Sequence, residues 1–106
     1  MPTLSNGRIR HTVVFKLKHA EGSPEERDFL AEAQRVLPAI PGVENFEALR
    51  EVSPKNGYRF GFSMEFADDA AYAAYNEHPD HTNFVESRWV PEVEDFLEID
   101  YRALDE

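Results

Sequence analysis

Tyr58-Arg59-Phe60-Gly61-Phe62-Ser63-Met64-Glu65-Phe66 alternates without a fault. Tyr58, Phe60, Phe62, Met64 and Phe66 fall on one face of an extended chain, and Arg59, Gly61, Ser63 and Glu65 on the other. A period of two sustained this long is a strand with one face in a core. Just upstream, Ser53-Pro54-Lys55-Asn56-Gly57 carries a proline and an Asn-Gly pair, both turn signals. The weaker strand pattern of residues 43–52 therefore folds back on it as a hairpin, although Phe46, Ala48 and Leu49 hold no single period.

Further outward, residues 9–18 repeat the alternation. Ile9, His11, Val13, Phe15 and Leu17 take the apolar side, Arg10, Thr12, Lys16 and Lys18 the other, and Val14 is the exception. Ser23-Pro24-Glu25-Glu26 starts a helix: Ser23 caps it, Pro24 takes the first helical position and Glu26 completes a capping box. Phe29, Leu30, Ala33, Val36, Leu37 and Ile40 follow at helical spacing up to Pro41-Gly42. Asp68-Asp69 opens a second helix, which runs to about His78 and is interrupted by Pro79. A further helical segment, residues 80–90, is expected to stop near Pro91. Residues 93–101 form the last strand, with Leu97, Ile99 and Tyr101 on one side.

The order β-α-β-β-α-β predicts an α+β, ferredoxin-like protomer, an antiparallel four-stranded sheet with the helices on one face. Val13, Phe15, Phe29, Leu37, Phe60, Phe62, Met64, Phe84 and Trp89 supply the covered core. The opposite face, with Thr12, Val14, Gly61, Ser63 and Phe96, is mixed. It either stays wet or is buried against a second copy in a twofold dimer.

At 106 residues the chain is one domain, 1–106, with an ordered core of about 8–101. The absence of cysteine excludes disulfides, thiol nucleophiles and thiolate metal sites. Residues 1–8 lack an apolar leader segment, and nothing later approaches the roughly 20 apolar residues of a membrane span. The reading is a soluble, cytoplasmic protein with no membrane partner. With 21 acidic and 11 basic residues, a net charge of -10 argues against nucleic acid and anionic lipid.

Groups able to move protons gather in Tyr72-Ala73-Ala74-Tyr75-Asn76-Glu77-His78-Pro79-Asp80-His81. His81 shares a helical stripe with Phe84, Val85 and Arg88 and faces the sheet, toward which His11 also points. An imidazole with an ordinary pKa of about 6.5 serves as a general base at neutral pH, and a tyrosine hydroxyl can hold a developing enolate or oxyanion. Tyr75 and His81 converge only if Pro79 bends the path between them. Each residue also has a plain reading: His78 as a helix-end group, His11 as a satisfied core histidine, Tyr72 and Tyr75 as core aromatics with hydroxyls at the rim. His19 reads as surface. His78 and His81 lie three apart, but the intervening proline distorts that turn and no metal motif is present, so no metal is expected. No phosphate loop, dinucleotide fingerprint or serine elbow appears, and no cofactor is expected.

Ile9-Arg10-His11-Thr12-Val13-Val14-Phe15-Lys16, Pro41-Gly42-Val43, Tyr75-Asn76-Glu77-His78-Pro79-Asp80-His81 and Phe96-Leu97-Glu98-Ile99-Asp100-Tyr101 together resemble the stress-responsive A/B barrel domain (Dabb) family, over roughly residues 8–101. The resemblance implies a homodimer, two ferredoxin-like protomers pairing as a dimeric α/β barrel. One member type, the plant olivetolic acid cyclase, closes a linear tetraketide by aldol chemistry without cofactor or metal. By that likeness Tyr75 and His81 match its catalytic pair and His11 a pocket histidine, whereas Asn76-Glu77 replaces a more apolar pair.

Two functions are expected from this. The first is a cofactor-free acid–base catalyst, cyclase- or isomerase-like, acting on a polyketide-like or phenolic compound. Its pocket lies between the sheet and the broken helix, with His81 and Tyr75 catalytic and His11, Tyr72, His78, Phe62, Phe84 and Trp89 lining it. The alternative is a non-enzymatic stress-related or assembly protein in which Tyr75 and His81 only pack.

Overall fold

The computed structural model describes residues 4–105. Residues 1–3 and 106, part of the expected domain and of the N-terminal stretch 1–8, lie outside the described residues. Four strands, β1 (Ile9–Leu17), β2 (Glu44–Arg50), β3 (Phe60–Phe66) and β4 (Val93–Tyr101), form one antiparallel sheet in the order β2-β3-β1-β4. The helices α1 (Pro24–Val36), α2 (Asp69–Glu77) and α3 (Pro79–Phe84) cover one face. This is the ferredoxin-like arrangement that the sequence order predicts.

The alternation in β1 and β3 is realised residue by residue, every second side chain being buried in both strands. They pair His11 with Met64, Val13 with Phe62 and Phe15 with Phe60. Phe15, Phe29 and Phe66 are wholly excluded from solvent. Truncating any of these rings to alanine costs about 3–5 kcal/mol.

Around α1, Ser23 Oγ accepts from the Glu26 N–H at 3.1 Å. The return half of the capping box is displaced by one residue: Glu26 Oε1 accepts from the Gly22 N–H at 3.0 Å. The Ser23 N–H is already committed to the Ala20 carbonyl. In β2 the lost period has a cause, a bulge between Glu44 and Glu47 with Asn45 at φ 52°. Beyond it Leu49 sits opposite Gly61 on the uncovered face, while Phe46 packs on Phe62.

Two boundaries differ from expectation. Tyr58 and Arg59 precede β3 rather than belonging to it. Pro91 does not stop the third helix, which continues from α3 through a π-helical turn, Val85–Trp89, to Glu92. In that turn the Val90 N–H reaches back five residues to the Val85 carbonyl. A wide turn placed directly before a proline accommodates the missing donor and the ring.

The last strand holds the decisive irregularity. Lys16 pairs with Asp95 but Leu17 with Val93, so Glu94 is an extra residue bulged out of the ladder. It resets the alternation of β4. Phe96, Glu98 and Asp100 pair with the inward residues Phe15, Val13 and His11, and Leu97, Ile99 and Tyr101 lie on the uncovered face. Phe96 is therefore corrected from the open face to the helix side, where its ring meets Trp89 edge-on at 5.5 Å.

Candidate functional site

Helix α2 is capped by Asp68, which accepts from the Ala71 N–H at 2.8 Å, and it ends at His78, whose ψ of 135° breaks the helix. Proline at the first position of α3 requires such extended geometry in the residue before it. The break turns the chain so that Tyr75, on the last turn of α2, and His81, on the first turn of α3, meet with ring centroids 4.4 Å apart. His11 enters from β1, its ring 6.3 Å from that of Tyr75.

These three rings border a cavity of about 430 Å³ between the sheet and the broken helix. Its apolar wall includes Val13, Phe62, Met64, Phe84 and Trp89, and Phe96 and Glu98 contribute from β4. The volume falls within the range of small-molecule sites, roughly 300–1,000 Å³.

Each polar group is held in a defined state. His81 Nδ1–H donates to the Asn76 carbonyl at 3.2 Å, which leaves the lone pair on Nε2. Burial, together with the charge of His11, lowers the His81 pKa against the pull of its hydrogen bond to Asn76 and of Glu98. The ring is thus kept unprotonated at neutral pH. Tyr75 is only 2% exposed. Burial first and the charge of Glu98 second raise its pKa, so the hydroxyl keeps its proton. That hydroxyl makes no hydrogen bond among the described residues.

His11 Nδ1 lies 2.6 Å from Asp100 Oδ1 and 3.0 Å from the Tyr72 hydroxyl, which donates to Asp100 Oδ2 at 2.8 Å. A carboxylate on Nδ1 fixes which imidazole nitrogen is left to face the cavity. Burial, then the bond to Asp100, raises the Tyr72 pKa.

The profile of the Stress Responsive A/B Barrel Domain matches residues 9–103. The chain belongs to that family. A Dabb-family protein with a ferredoxin-like fold from Mesorhizobium loti is 66% identical, with 93% of this chain and 99% of that one covered and a TM-score of 0.92. A dimeric ferredoxin-like protein of unknown function from Bacteroides fragilis is 22% identical, covering 94% and 99%, with a TM-score of 0.71. The hydroxynitrile lyase of Passiflora edulis is 14% identical, covering 96% and 98%, with a TM-score of 0.81. At such identities the last two share the fold with this Dabb chain and no more. No curated protein matches it.

Of the expected site residues, His11, Phe62, Tyr75, His81, Phe84 and Trp89 border the cavity of this Dabb protomer. Two expected lining residues do not. His78 turns its Nδ1 onto the Asp80 N–H at 3.0 Å and serves as the cap of α3, because a helix that begins with proline still needs a side-chain acceptor for its next free donor. Tyr72 sits behind His11, stacked on Phe66. His19, read as surface, is half-buried and its Nε2 lies 2.7 Å from Glu92 Oε1. Glu92 is pushed up by burial but held below the usual carboxylate range overall by its bonds to Arg88 and His19. Asp100 and Glu98 were missed. Their signal was two acids at alternate positions after Phe96, legible only once the bulge is known.

Proposed function

We propose that this protein is a homodimer whose protomers each bind a small hydroxylated or carbonyl compound, of phenolic or polyketide-like type, and carry out cofactor-free acid–base chemistry on it. The observation that carries the reading is the pair Tyr75 and His81, 4.4 Å apart at the edge of a cavity with largely apolar walls. A buried imidazole with a lowered pKa is a competent base at neutral pH, and a tyrosine with a raised pKa is a competent donor. In this scheme His81 Nε2 takes a proton alpha to the ligand carbonyl. The Tyr75 hydroxyl donates to the carbonyl oxygen as negative charge develops there, and His11, held by Asp100, forms the second polar wall. Keto–enol isomerisation and aldol-type cyclisation of such compounds both begin with this step.

For the dimer, the support is the uncovered sheet face. Leu49, Gly61, Val14 and Leu97 are in register across all four strands, and Leu49, Leu97, Ile99 and Tyr101 are exposed. A continuous apolar stripe of this kind is what one copy buries against another, and the Bacteroides fragilis neighbour is dimeric.

The test is a two-dimensional NMR titration of the labelled protein with phenolic and β-keto compounds, following the His11, His78 and His81 ring signals. Saturable shifts at His11 and His81 with none at His78 are expected, and they vanish in a folded His81→Ala variant. Unchanged affinity in that variant refutes the assignment. The near-complete burial of Tyr75 against Phe66 favours a second reading, an assembly protein in which the pair only packs. Its mark is a loss of stability in the same variant with no ligand response in either protein.

A further inference from the structure

Eleven lysine and arginine residues are distributed along this chain, and none of them borders the cavity. The carboxylate that does is Glu98. Several other acids of the sheet have cationic or imidazole partners. Glu65 is bonded to Arg8 and Arg10, Glu94 to Lys16, and Asp100 to His11. Glu98 makes no hydrogen bond or ion pair among the described residues, and it stands exposed at the open side of the cavity.

A ligand carboxylate lying between Tyr75 and His81 would meet that charge with no lysine or arginine on the cavity wall to neutralise it. Apart from the uncharged Asn76, the remaining walls are apolar, Val13, Phe62, Met64 and Trp89 among them, and solvate an anion poorly. His81 is kept neutral by burial, and His11 is already engaged with Asp100. The net charge of -10 adds a field of the same sign. An uncharged hydroxyl, by contrast, gives Glu98 a charge-assisted hydrogen bond, while a ketone oxygen at the other end accepts from Tyr75.

Building on the ligand-site reading above, we infer that the compound bound is uncharged at its polar ends, a hydroxylated aryl ketone in kind, and that Glu98 selects it over the corresponding carboxylate.

The experiment compares para-hydroxyacetophenone with para-hydroxybenzoate, which share ring and hydroxyl and differ in charge, by NMR titration of the full chain at neutral pH. The ketone is expected to bind at least tenfold more tightly. Glu98→Gln, which keeps the side-chain shape on an exposed strand, is expected to narrow the gap at least threefold by improving benzoate binding. Salt at about 1 M, where the Debye length is about 3 Å, is expected to narrow it too; a preference set by shape alone would not respond to either. Benzoate binding as tight as the ketone, or a gap unmoved by both the substitution and salt, overturns the inference and leaves the ligand site standing. If neither compound shifts the His81 and Tyr75 ring signals at millimolar concentration, the ligand-site reading fails and the inference with it.

Discussion

Replacing Tyr75 with phenylalanine separates a working hydroxyl from a packing ring. The ring is 2% exposed, with Phe66 and His81 at centroid distances of 5.0 and 4.4 Å. Phenylalanine preserves all of that contact. The hydroxyl has no hydrogen-bond partner among the described residues and its oxygen is not sealed in the core, so its removal breaks no protein bond. The expected change in folding stability is within about 0.5 kcal/mol of zero, a shift in Tm of at most about 4 °C for a domain of this size. The effect on chemistry is expected to be large. Loss of one preorganised donor to a developing oxyanion costs roughly a hundredfold to a thousandfold in kcat, about 2.7–4 kcal/mol. The assay pairs urea denaturation with turnover, or with carbonyl-ligand affinity, on the same preparation. A variant less stable by more than about 1 kcal/mol would reveal a structural partner for the hydroxyl. A variant with wild-type turnover and affinity would remove Tyr75 from the site altogether.

Acidification should act through His81. Its folded-state pKa lies below the ordinary 6.5, so the unfolded chain takes up the proton first. Its contribution to stability is full above pH 6.5 and is lost as the pH falls through the lowered folded value. Turnover declines over the same lower window, and His81→Gln should flatten that part of the stability profile measured by urea titration. Asp100→Ala strips the buried His11 and the Tyr72 hydroxyl of their acceptor. It should cost about 1–3 kcal/mol in denaturation; stability within error of the wild type would show that the triangle holds nothing together. Ile99→Arg places a charge on the exposed stripe of β4, and light scattering should then report a monomer that keeps its far-ultraviolet dichroism. A persistent dimer would move the interface elsewhere.

Much of the fold can be read locally because its signals are local. The alternation in residues 58–66 is visible in any nine-residue window, and Ser23 and Pro79 act on their immediate neighbours. The meeting of Tyr75 with His81 follows from the same proline. The acidic half of the site is a different matter. Whether Asp100 faces His11 or solvent depends on one bulged residue in β4, and a period-two reading carries no marker for a place where the count slips. Pro91 misleads for a related reason: a proline ends a regular helix, but the π turn that absorbs it is set by packing against α1 and the sheet. His19 finds Glu92 only when the distant end of the third helix is brought beside β1.

The bulged Glu94 has a reach out of proportion to its size. It lies on an edge strand with more than half of its side chain exposed, tied among the described residues only to Lys16, where a substitution would pass almost unnoticed. Its place outside the ladder is what matters. Were Glu94 paired with Lys16 instead, every residue of β4 beyond it would turn over, carrying Phe96, Glu98 and Asp100 out of the cavity and Leu97, Ile99 and Tyr101 into it. What the molecule can hold and what it can pair with are thus written on the same strand in alternating letters, and the bulge decides which set is read on which side.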